Sequence, residues 1–290
     1  IHENQKTGLE VCGERAWPLI TKCKIIGNLY AGADFTLQCQ PLVRDCQFGG
    51  NKESGIQLEG GSPLIENCDI SQSAQGFIAS NGSKATLKNC QIHENSNRGG
   101  QIQNQDTCIE AQHCHFYKHM NGIDLLAVEN GSINCTNCIF ETSLKHHVNA
   151  MDGGYICLTN CDLSKSNNGE GIRALADGVI ELIDSKVHDQ SKLCVLISDR
   201  GIVKARNSIF TENANCGVYI EKGGSGEFVG CTVSSNGQYG FDVHGGMLTI
   251  KDCTVKDHYA YGIFLDKGSV FNETNTTHSN NGKANVYHFT

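Results

Sequence analysis

Gly61-Ser62-Pro63-Leu64-Ile65-Glu66-Asn67-Cys68-Asp69-Ile70 is followed by Gly82-Ser83-Lys84-Ala85-Thr86-Leu87-Lys88-Asn89-Cys90-Gln91-Ile92, and the two cysteines lie 22 residues apart. Both stretches run through a short apolar-polar segment to Asn-Cys-x-Ile. Working outward, the same pair recurs as Lys22-Cys23, Asp45-Cys46, His113-Cys114, Asn137-Cys138 and Asn160-Cys161. It continues as Asp184-Ser185, Asn207-Ser208, Gly230-Cys231, Asp252-Cys253 and Thr274-Asn275, with successive anchors 22 to 24 residues apart. A period of that length held along the chain marks stacked repeat units.

Two residues after each anchor stands an apolar side chain: Ile25, Phe48, Ile70, Ile92, Phe116, Phe140, Leu163, Val187, Phe210, Val233 and Val255. Residues two apart on a strand face the same side, so anchor and apolar residue both point inward. Alternation before the anchor, as in Ile156/Leu158, Ile180/Leu182, Val203/Ala205 and Leu248/Ile250, marks a second strand. Gly-apolar-x-apolar segments mark a third: Gly55-Ile56-Gln57-Leu58, Gly122-Ile123-Asp124-Leu125, Gly217-Val218-Tyr219-Ile220, Gly240-Phe241-Asp242-Val243 and Gly262-Ile263-Phe264-Leu265. Asn or Asp precedes the anchor in eight coils, and both tolerate the left-handed backbone of a tight bend. Asn-rich stretches such as Glu94-Asn95-Ser96-Asn97 and Glu212-Asn213-Ala214-Asn215 read as looser bends. The expected fold is all-β: a single-stranded right-handed parallel β-helix, or solenoid, of about twelve coils of 22–24 residues, one domain over residues 1–290. Neither residues 1–11 nor residues 283–290 supply an evident helix to cover the exposed strand edges, so the segment is expected to be excised from a longer protein.

Nine of the 16 cysteines occupy the inward anchor slot, where Ser185 and Ser208 replace them by size. Free Cys packs as a small hydrophobe. Copies stacked about 4.8 Å apart do not meet the geometry of continuous disulfide pairing. Reduced thiols point to a reducing, cytoplasmic location. The net charge of −8 argues against nucleic acid, which requires clustered cations. No apolar run approaches the length of a membrane span.

The repeats around Cys68 and Cys90 resemble the parallel β-helix repeats of the CASH/NosD type, most of all those that serve as substrate-recognition repeats of F-box proteins. That resemblance implies a non-catalytic substrate-recognition module of a ubiquitin-ligase-type adaptor; the chain departs from the family in that its usual anchor Asn is mostly Cys here and no F-box helices are present. A second resemblance is local. Tyr239-Gly240-Phe241-Asp242-Val243-His244 is similar to the Tyr-Gly-Phe-Asp-Pro-His segment of mannuronan C5-epimerases, with Val243 in place of Pro. It implies proton transfer at a sugar carbon by Tyr239, Asp242 and His244.

Strand alternation turns Asp242 and His244 outward, beside Tyr219 and Glu221 one coil earlier and Phe264 and Asp266 one coil later, which groups an acid–base set with aromatic neighbours. The competing reading is a solvated repeat face. His113-Cys114-His115 with His119 and Cys108 has metal-like spacing, but alternation points Cys114 away from its histidine neighbours. No metal or cofactor is expected. Asp124 and Arg173 lie on the same strand type but two coils apart, too far for one lyase site. Short uniform coils leave no long loops to wall a cleft. The favoured reading is therefore a binding or scaffold module that presents Asp124, Arg173, Tyr219, Glu221, Asp242, His244, Phe264 and Asp266 as a flat, exposed row to a protein or glycan partner. The alternative is a polysaccharide epimerase or lyase using Tyr239, Asp242 and His244.

Overall fold

The computed structural model describes residues 1–120 and 122–289. The fold is a parallel β-solenoid of about twelve turns, with no helix among the described residues. The chain separates into two compact units, Ile1–Leu144 and Lys145–Thr290.

Each unit is built from three parallel sheets, one strand of each per coil. In the first unit the glycine-led sheet runs from Leu9–Cys12 to Ile123–Ala127, the pre-anchor sheet from Leu19–Thr21 to Ser132–Thr136 and the anchor sheet from Lys24–Ile26 to Ile139–Glu141. In the second unit they run from Val148–Ala150 to Ala284–His288, from Tyr155–Thr159 to Val270–Thr274 and from Asp162–Ser164 to Thr277–Ser279.

The slot before the anchor is a left-handed corner throughout, with φ between 50° and 64° from Lys22 to Asn275. The anchor side chain closes that corner. Cys46, Cys68, Cys90 and Cys253 donate Sγ–H to the carbonyl two residues back at 3.2–3.3 Å. Ser185 and Ser208 make the same bond at 2.9 Å, so Cys and Ser interchange as donors as well as by size. In the last turn the corner is Asn275 rather than Thr274, and Thr276 is the anchor that bonds back to the Thr274 carbonyl. All 16 cysteines are free thiols, and eight of the nine anchor cysteines are buried, Cys23 being half-buried.

All eleven apolar residues two past the anchors, from Ile25 to Val255, are 0% exposed. Core rings pack on one another: Phe116 stacks 4.9 Å from Phe140 at 6°, and Phe228 of the pre-anchor sheet packs edge-on against Phe210 and against Phe241 of the glycine-led sheet. Full burial of such a side chain contributes roughly 1.5–3 kcal/mol.

The Asn-rich bends turn inward and form buried ladders. The backbone N–H groups of Asn28, Asn51, Ser73 and Asn95 donate to the side chains of Asn51, Ser73, Asn95 and His119 in turn. In the second unit the ladder runs Ser166, Gln190, Asn213, Asn236, His258, Asn281. Each rung satisfies a backbone N–H that water cannot reach.

Asp124 is not on the outer row. It is 0% exposed, its carboxylate accepts from Ser143 Oγ, and His119 Nε2 lies 3.7 Å away. The register pairs Leu125 with Gly100 and Gly100 with Phe77, which aligns Asp124 with the glycine slot two residues earlier than the Gly-Ile-Asp-Leu pattern places it. A two-residue shift leaves the alternation parity intact, so periodicity cannot detect it.

Candidate functional site

The site is on the outer face of the glycine-led sheet of the second unit. Gly217 stands just before its strand and Gly240 and Gly262 are second in theirs, where the next coil's backbone leaves no room for a side chain: a Cβ on Gly240 would sit 2.5 Å from the Gly262 carbonyl. The register then aligns Arg173, Leu196, Tyr219, Asp242, Phe264 and Tyr287 in one row. Glu221, His244 and Asp266 form the next row, immediately past the paired Ile220, Val243 and Leu265.

His244 is the centre. Its Nε2 lies 2.8 Å from Asp242 Oδ1 and its Nδ1 3.1 Å from Asp266 Oδ2. The Tyr219 and Phe264 rings flank the imidazole, with centroids at 5.4 and 5.7 Å. Asp242 is only 7% exposed and Cys216 Sγ donates to its other oxygen at 3.8 Å. Burial raises the Asp242 carboxyl above the usual carboxylate range, and His244 opposes the shift. Asp266 is held below that range by the Lys267 backbone N–H and by His244. Burial and then Asp242 raise the Tyr239 phenol; burial and then Glu221 raise that of Tyr219, so both stay protonated.

A hollow of about 370 Å³ opens beside Asp242, lined by Glu170, Lys192, Leu193, Asn215, Cys216, Tyr219 and Gln238. A second, of about 480 Å³, runs past Tyr239, Tyr259 and Lys283. Tyr239 stacks on Tyr261 at 5.8 Å, and Tyr261 on Tyr287 at 4.9 Å, with Lys283 Nζ 5.4 Å above the Tyr261 ring. The structure thus brings together Tyr219, Asp242, His244, Phe264 and Asp266, with Tyr239 against Phe264 at 5.6 Å. The row is not flat and open at Asp242, which its neighbours bury. Glu221 is exposed and its carboxylate is unpaired among the described residues. Arg173 is separated from Tyr219 by Leu196 and is engaged with His146 and Glu170 instead.

Sequence reasoning missed Cys216, Lys192 and the Tyr261–Tyr287 stack. Tyr261 was legible, since Tyr239-Gly240 and Tyr261-Gly262 repeat one coil apart.

The chain belongs to the right handed beta helix region family, whose profile matches residues 1–127 and 125–282. Comparison with curated proteins finds no match. Among solved structures, the chain is similar to the A-module of Azotobacter vinelandii mannuronan C-5 epimerase AlgE4, at TM-score 0.60 and 11% identity over 98% of this chain and 88% of that one. The A-module of AlgE6 from the same organism gives TM-score 0.62 and 11% identity over 94% and 90%. The periplasmic alginate epimerase AlgG gives 0.50 and 8% over 98% and 78%. At these identities the likeness is one of fold. Among the described residues no helix is long and apolar enough to cross a membrane.

Proposed function

We infer that this protein acts on a polysaccharide, moving a proton at a sugar carbon as an epimerase or lyase does. The observation that carries this reading is His244 held between two carboxylates of opposite character, Asp242 buried and Asp266 half-exposed. Asp266 fixes the imidazole proton at Nδ1 and leaves Nε2 facing Asp242. A proton can then pass between Nε2 and the Asp242 carboxyl across 2.8 Å. Such a pair can take a proton from a carbon beside a carboxylate and return one. A protonated phenol, Tyr219 or Tyr239, suits delivery to the opposite face or to a leaving oxygen. The stacked rings of Tyr239, Tyr261 and Tyr287 offer a platform for sugar faces, and Lys192 and Lys283 line the hollows where an acidic sugar would be neutralised. The solved structures sharing the fold include enzymes of mannuronan and alginate, which favours a glycan over a protein partner.

The test is incubation of the protein in D2O with a panel of acidic polysaccharides. Deuterium at the sugar carbon is read by NMR, and unsaturated ends by ultraviolet absorbance. Asp242→Asn and His244→Ala should each lower the rate at least 100-fold with the circular dichroism spectrum unchanged. Deuterium uptake that persists in both variants, or none from any polysaccharide, would refute the reading.

A further inference from the structure

A second cluster lies on a different sheet. His188 ends the anchor strand Lys186–His188, and its Nε2 lies 3.0 Å from Asp162 Oδ1 on the preceding coil. Its Nδ1 lies 2.6 Å from Asp189 Oδ2. Glu212 occupies the same corner one coil on, and ligand atoms of His188, Asp189 and Glu212 all fall within 4.8 Å of one another. Both corners are left-handed, φ 54° at Asp189 and 57° at Glu212, and both residues are exposed while His188 is half-buried. Among the described residues the Glu212 carboxylate has no hydrogen-bond or ion-pair partner, although it faces another carboxylate.

The first unit builds a similar corner, with Glu94 in place of Asp189. His93 Nε2 lies 3.0 Å from Asp69 Oδ2, and Nδ1 faces Glu94 at 3.9 Å. On the next coil the left-handed corner is Lys118 instead of a glutamate, and Tyr117 covers the imidazole face at 4.6 Å. There a lysine stands where the second unit has an unpaired acid.

We propose that His188 Nδ1, Asp189 and Glu212 form a binding site for a divalent cation of the zinc type, with Asp162 orienting the imidazole. The donor set is one nitrogen and two carboxylates, which suits a borderline first-row ion with one position left for water and is too few oxygens for calcium. The Nε2–H···Asp162 bond is the outer carboxylate contact that fixes the tautomer of a ligating histidine. On binding, Nδ1 and the Asp189 oxygen, 2.6 Å apart, would turn from each other to the cation. The site is independent of the glycan reading.

Zinc chloride titrated calorimetrically into the purified chain should bind with one equivalent at this site. Affinity should fall at least tenfold in Glu212→Gln and Asp189→Asn and stay unchanged in His93→Gln. Glu212→Gln should fold normally, because Gln72 already holds the same left-handed corner at φ 54°. Cobalt(II) in place of zinc should give weak visible bands without thiolate charge transfer. Absence of binding, affinity unaltered by Glu212→Gln, or a thiolate band placing the ion on exposed Cys12 or half-buried Cys23 would each overturn the proposal.

Discussion

Replacing His258 by asparagine is expected to remove a discrete part of the acid sensitivity of the second unit. His258 is 2% exposed, its Nδ1 accepts the Asn236 N–H at 3.2 Å, and its Nε2–H donates to the Val233 carbonyl at 3.1 Å. Burial lowers its pKa from 6.5 to about 4. A second proton would also set Nδ1–H against the Asn236 N–H. The unfolded chain therefore binds the extra proton between these values and the folded chain does not, so stability falls as pH drops through 6.5 towards 4. The full shift corresponds to about 3 kcal/mol, of which about 2 kcal/mol is lost between pH 7 and pH 5. Asparagine is the natural isostere of this rung, since Asn236 and Asn281 occupy it on the flanking coils. The assay is urea unfolding followed by circular dichroism at both pH values. Hydrogen exchange of peptides covering residues 230–282 gives the local reading. The wild type should lose about 2 kcal/mol more than His258→Asn on going from pH 7 to pH 5. Equal losses in the two proteins would refute the reasoning.

The anchor slot should accept Cys138→Ser with a change below about 1 kcal/mol, because serine makes the same bond in two other coils, whereas Cys138→Leu should cost about 1–3 kcal/mol by overpacking. Native-state labelling with a bulky thiol reagent should reach Cys12 readily and leave the buried anchors unmodified until unfolding. Gly100→Ala would place a Cβ 2.2–2.8 Å from the Phe77 ring, so it should cost about 1–3 kcal/mol in a thermal melt. Phe77→Leu in the same chain should recover part of that loss, and a strictly additive pair would contradict the packing argument.

The sequence by itself determined the coil. A left-handed corner calls for Asn, Asp or Gly; a donor-bearing small side chain must follow it; an apolar residue must come two later. Each demand is local, so it recurs at every Asn-Cys-x-apolar segment and can be read without coordinates. The clustering of Asp242, His244 and Asp266 was legible for the same reason, since a fixed period carries one residue onto its copy. Three matters belonged to the tertiary structure. Asp124 moved by two residues, a displacement that leaves alternation unchanged and is settled only by pairing with Gly99 and Gly100. The burial of Asp242 depends on Tyr219, Cys216 and Phe264 arriving from neighbouring coils, and that desolvation separates its carboxyl from that of Asp266. The inward ladder through His119 and His258 rests on which way a bend residue turns. Backbone propensity is silent on that direction, because it is decided by the unpaired N–H of the adjacent coil.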